Sequence, residues 1–177
     1  MRYLYQSNHQ PMTLDNNIAK AQDDQALHCA RFVLEGIRKK TGIGSKRLEK
    51  LSFVFDGGLG LTGGVCGALA GAITGINHLV GLPVRNMSYW KTIKGFGIGH
   101  VNLLVDRPFG TQEPFKAGKQ VVQKFKETAG STECCDITGE GFAGWDDFQE
   151  YIKGSSRCHE LMDFAVDQAC RVIRQND

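Results

Sequence analysis

Apolar residues along this chain recur at helical spacing and rarely alternate. From Asp15 to about Lys40, the positions Ile18, Ala21, Gln25, Cys29, Phe32, Val33, Gly36 and Ile37 form one stripe, which predicts a single long helix stopped by Gly42. Ser45 is placed to cap a shorter helix carrying Leu48, Leu51 and Val54 or Phe55. The run "DGGLGLTGG" then breaks the pattern, and a small-residue helix is expected from about Val65 to Leu79. Within it Gly67, Gly71 and Gly75 recur every fourth residue, a bare face on which another helix can lie closely, in the same chain or in a second copy.

The pattern weakens between Gly81 and Gly110. Gly95, Gly97 and Gly99 break a helical start, and "HVNLLV" reads as a strand candidate inside an irregular excursion. Periodicity returns in "EPFKAGKQVVQKFKETAG", with Phe115, Val121, Val122 and Phe125 apolar and Gly130 as C-cap. "STECCDITG" predicts a short helix capped by Ser131 and supported by Glu133, and "GWDDFQEYIKG" another brief segment. Ser155 or Ser156 opens a final helix with Leu161, Phe164, Ala165, Gln168, Ala169 and Ile173 on one face. The expected fold is all-α: an irregular bundle of about five to seven helices with a Gly-rich loop region and little or no sheet. It forms a single domain over 1–177, in which 1–14 is a peripheral N-terminal segment.

Composition narrows the function. With 41% hydrophobic and 23% charged residues the chain is globular, and a net charge of +2 without a dense basic run argues against nucleic acid. No apolar leader precedes the first helix and no stretch is hydrophobic enough to span a membrane, so a cytoplasmic location is expected. Thiols are kept reduced there, which turns six cysteines towards metal or redox chemistry rather than a disulfide scaffold.

Gly58, Gly60 and Gly63 spell G-x-G-x-x-G, the turn of a dinucleotide fold. That fold requires a βαβ unit and an acid about 20 residues on, whereas the first acid after Asp56 is Asp106. The glycines instead lead into Cys66, in the first turn of a helix whose positive end favours a thiolate.

The cysteines are Cys29, Cys66, Cys134, Cys135, Cys158 and Cys170, with no C-x-x-C among them, so a shared site must be assembled from distant segments. Cys158 and Cys170 lie 12 residues apart on one expected helix, about 18 Å of rise, and cannot meet at one small centre. Cys66, Cys134 and Cys158 each lie near an expected helix start, and Cys29 lies mid-helix. His28 and His159 flank cysteines, but adjacent helical side chains diverge by about 100°, so each histidine is expected to face away. Asp146 and Asp147 read as acids enriched at a helix start rather than as a metal pair.

These residues resemble the redox-active family whose signature is written C_GCAxxG_C_C. "ALHCARFVLEG" is similar to the segment of the first cysteine, "CGALAG" to the core motif, "FKETAGSTECCDITG" to the third position and "CHELMDFAVDQA" to the last. The core here reads Cys-Gly-Ala rather than Gly-Cys-Ala, an enlarged segment starts at Leu82, and Cys135 and Cys170 are additions. The resemblance implies a helical redox domain similar to the iron–sulfur part of split-Soret-type cytochromes. It implies Cys29, Cys66, Cys134 and Cys158 as ligands of a [2Fe–2S] or [4Fe–4S] cluster, with Cys135 the alternative third ligand, and electron transfer with an unidentified redox partner protein. The absence of acids from Gly57 to Val105 suits such an anionic centre. Two alternatives use the same residues: thiol–disulfide exchange with Cys66 attacking, and a structural zinc ion on the four thiolates.

Overall fold

The computed structural model describes residues 26–42, 44–80, 113–139 and 141–175, with the single positions Trp90, Ile93 and Gly97. Among them are eight helices and no strand: α1 (Cys29–Thr41), α2 (Lys46–Leu51), α3 (Asp56–Leu59), α4 (Gly67–Val80), α5 (Glu113–Ala129), α6 (Cys134–Thr138), α7 (Trp145–Gly154) and α8 (Ser156–Gln175). A 3₁₀ turn, Phe53–Phe55, joins α2 to α3. The all-α expectation holds.

Helices α1, α4 and α8 pack against one another, and α5 lies on α4 and α8. Their shared core comprises Val33, Ile37, Leu69, Ile76, Phe125, Met162 and Ile173 among others. The small-residue face of α4 meets α1 of the same chain. A Cβ on Gly67 would stand 2.7 Å from the Phe55 carbonyl oxygen, one on Gly71 2.8 Å from that of Ala30, and one on Gly75 2.6 Å from Ile37 Cδ1. Gly71 is therefore what lets the α4 and α1 backbones lie this close, while Gly67 admits the 3₁₀ turn and Gly75 the tip of Ile37.

Several caps fall where the sequence puts them. Gly42 ends α1 at φ 73° with its N–H on the Arg38 carbonyl, Ser45 Oγ accepts the Leu48 N–H, and Gly130 closes α5 at φ 87°. Ser155 rather than Ser156 caps α8, accepting the Cys158 N–H, and Asp147 accepts the Ala143 N–H in front of α7.

Other expectations are corrected. The first helix does not run unbroken into Cys29, because residues 26–28 are non-helical and His28 is an extended N-cap; Asp15–Gln25 lies outside the described residues. Cys29 thus begins a helix and is not mid-helix. Glu133, not Ser131, is the N-cap of α6, and Ser131 Oγ accepts the Glu133 N–H. Leu51, Val54, Phe115 and Val122 are exposed, so the apolar faces expected there are narrower than their periodicity. Gly97 is helical, whereas the rest of the Gly81–Gly110 excursion, apart from Trp90 and Ile93, lies outside the described residues with the 1–14 segment and the strand candidate.

Candidate cysteine centre

The Gly-rich turn is built from left-handed backbone. Gly57, Gly58, Leu59, Gly60, Leu61 and Gly63 all have positive φ, which Gly adopts freely and leucine only at a cost in strain. Gly58 admits no other residue, since its Cβ would lie 2.5 Å from the Gly64 nitrogen. The tightened turn leaves Gly64 and Cys66 beside Thr132 and Cys134. Cys66 N–H bonds the Thr132 carbonyl at 2.8 Å, Cys134 N–H bonds that of Gly64 at 2.6 Å, and Val65 and Glu133 form an isolated antiparallel bridge. That clasp sets Cys66 and Cys134 on neighbouring stretches of chain.

Each of the four cysteines opens or precedes a helix. Cys29 and Cys134 are the first residues of α1 and α6, Cys66 directly precedes α4, and Cys158 lies in the first turn of α8. Cys29, Cys66 and Cys134 are buried and Cys158 is half-buried. Gly67 brings α1 alongside, its Cβ position being 3.0 Å from Cys29 Cβ. At the fourth corner Arg157 donates to the carbonyls of Thr128 and Ala129, tying the start of α8 to the end of α5 just before the Cys134 segment.

Electrostatics reports the same convergence. Burial pushes the Cys29 thiol well above its ordinary value, and charge on Asp56, Cys66, Cys158 and Cys134 pushes it further. Cys134 is pushed up to about 12 by burial first, then by Cys66, Cys158 and Cys135. Burial also raises Cys66, although the N–H groups of Ala68 and Leu69 at the start of α4 bond its sulfur and oppose the rise. Cys158 is raised by burial against a hydrogen bond with Ser155. The helix N-terminus does act on Cys66 as its position suggests, but burial outweighs it.

Cys135 and Cys170 stand apart. Cys135 is exposed, its sulfur 3.8 Å from Asp136 Oδ1. Cys170 is buried in the apolar core of α8, with Lys40, Arg174 and Asp167 as its charged neighbours and none of the other cysteines among them.

His28, expected to face away, and Asp56, given no role, both border the centre. His28 is buried with its Nδ1 2.6 Å from Asp56 Oδ2, and its ring lies 5.4 Å from that of Trp145. Asp56, 1% exposed, also accepts the Cys29 N–H at 2.8 Å and bonds the Ala30 N–H, so it caps α1 from another segment. Burial raises its carboxyl while His28 and the α1 N–H groups oppose that rise. A carboxylate does therefore border the thiols, supplied from the position just before the acid-free stretch Gly57–Val105. The available signal was a lone acid ahead of a glycine turn in an apolar run. His159 places Nε2 2.9 Å from the Ile152 carbonyl oxygen.

Among the described residues no group of three or more His, Cys, Asp or Glu is arranged to hold a metal ion. The chain matches the family model described as "Putative redox-active protein (C_GCAxxG_C_C)" over residues 27–172, and it belongs to that family. No curated protein and no solved structure gives a significant match. A redox role follows from membership. No helix among the described residues is long and apolar enough to cross a membrane.

Proposed function

We propose that Cys29, Cys66, Cys134 and Cys158 bind an iron–sulfur cluster and that the protein transfers electrons. The observation that carries this reading is the convergence of four helix starts, each delivering one thiol, from segments spread between residues 29 and 158. Helix N-termini favour anions, and a thiolate cluster is an anionic centre. The Ala68 and Leu69 N–H groups on the Cys66 sulfur are donors of the kind that tune a cluster's potential. Cys134 is favoured over Cys135 because it is buried and electrostatically coupled to Cys66 and Cys158.

The cluster, when bound, would supply a one-electron couple. The chain would hold it by the four sulfurs, shield it with α1, α4 and α8, and fix Cys29 through the bonds of Asp56 to His28 and to the Cys29 N–H. A structural zinc ion would use the same four thiolates and supply no redox couple, so membership of a redox-active family supports the cluster over zinc. Thiol–disulfide exchange at Cys66 is less supported, since an attacking cysteine needs exposure and a lowered pKa, and Cys66 is 8% exposed and raised.

Iron, acid-labile sulfide and zinc measured on anaerobically purified protein, with its visible spectrum, test the proposal. Iron with matching sulfide and a bleachable brown colour is the expected result. Colourless protein with one zinc, or free of metal with all four thiols open to alkylation, would refute it.

A further inference from the structure

Asp56 stands where a helix start needs no charge. It is 1% exposed, its Oδ1 accepts the Cys29 N–H at 2.8 Å, and it bonds the Ala30 N–H as well. Serine or asparagine serves a helix start as well as aspartate does, without the cost of enclosing a charge. The chain uses such neutral groups elsewhere, Ser45 at α2 and Ser155 at α8. At α1, the helix that opens on Cys29, it places a carboxyl instead.

The contacts of that carboxyl suit a negative group. Oδ2 lies 2.6 Å from Nδ1 of the buried His28, and Oδ1 faces the positive end of α1. Its field also reaches the thiols. Charge on Asp56 comes directly after burial among the influences that raise Cys29. It acts in the same direction on Cys66 and Cys134. Negative charge at the centre is therefore opposed from one fixed point, closest to Cys29.

We propose that Asp56 sets the reduction potential of the cysteine centre, its buried carboxylate holding the potential low by opposing the negative charge that an electron adds. The inference rests on the iron–sulfur reading. The potential of a cluster follows net charge, solvent exposure and hydrogen bonds to sulfur. A charge one hydrogen bond from the backbone of Cys29, in an interior that screens it poorly, acts strongly on such a centre. The Ala68 and Leu69 N–H groups on the Cys66 sulfur act in the opposite sense, because they favour added negative charge. The site thus carries one influence of each sign, and Asp56 is the one that a single side-chain exchange removes.

Redox titration of the iron-loaded full chain, followed by its visible absorbance, tests this on Asp56→Asn and Asp56→Ser. Both variants keep a group able to cap α1 and remove the charge, so the test survives the misfolding of either one. Each is expected to shift the one-electron equilibrium at least about tenfold towards the reduced form, a rise of about 59 mV in midpoint. Asp136→Asn is the control: Asp136 lies two residues from Cys134 but is exposed, where water and salt screen it, and its midpoint should move far less. A loaded Asn or Ser variant whose midpoint moves no further than that of Asp136→Asn would overturn the proposal and leave the iron–sulfur reading standing. Folded variants that no longer hold iron would overturn it too, by making Asp56 an anchor of the site. Wild-type chain without iron would overturn both readings.

Discussion

Cys66 and Cys170 are both buried thiols raised by burial, yet their surroundings have little in common. Around Cys66 the chain gathers three further cysteines, the His28–Asp56 pair and a turn of left-handed residues. Around Cys170 it gathers Ala165, Val166, Ala169 and Ile173 of the common core, with charges only at the periphery. A buried cysteine is by default a small apolar filler. Cys66 differs in its neighbours, three further thiols and a carboxylate that is itself held by His28 and the N–H groups of α1.

The largest break in that comparison is expected in metal content. Cys66→Ser should leave protein purified without oxygen nearly free of iron, whereas Cys170→Ala should keep its full complement and lose only about 1 kcal/mol of stability; iron analysis and urea titration read both. Asp56→Ala comes next. It leaves His28 and the start of α1 without their buried partner, at about 3 kcal/mol in urea unfolding. The glycines of α4 sharpen the contrast further. Gly67→Ala presses on the Phe55 backbone carbonyl, which cannot swing aside, and should cost about 2 kcal/mol. Gly75→Ala meets only the tip of Ile37, which can move, and the gain in helix propensity should bring its net effect close to zero. Thermal melts of the two variants side by side decide this.

A last contrast concerns pH. Cys29, Cys66, Cys134 and Cys158 have folded-state values raised above those of an unfolded chain. Below the unfolded thiol pKa of about 8.5, both states are protonated and the stability is intact. Above it the unfolded chain releases protons that the folded chain keeps, so stability falls as pH rises towards the Cys134 value of about 12. Metal-free protein should show this decline in denaturant midpoints, and Cys66→Ser should show less of it.

Helical periodicity, the glycine stops and the bare face of α4 were legible because they depend on local spacing. The start of α1 was not. Its apolar stripe continues backwards through Gln25, and the helix begins at Cys29 because Asp56, a residue 27 positions away, caps it there. The same long-range bond hid the burial of His28, since a histidine beside a cysteine gives no sign of a carboxylate delivered by another segment. Phe115 and Val122 misled for the opposite reason: they keep the period of a buried face but lie at its edge.

The clasp around Val65 and Glu133 has a consequence for mutation. Cys66 and Cys134 are each tied by a main-chain N–H to a carbonyl of the opposite segment, of Thr132 and of Gly64. Exchanging either side chain leaves those bonds in place, so the two positions stay neighbours whatever residue they carry.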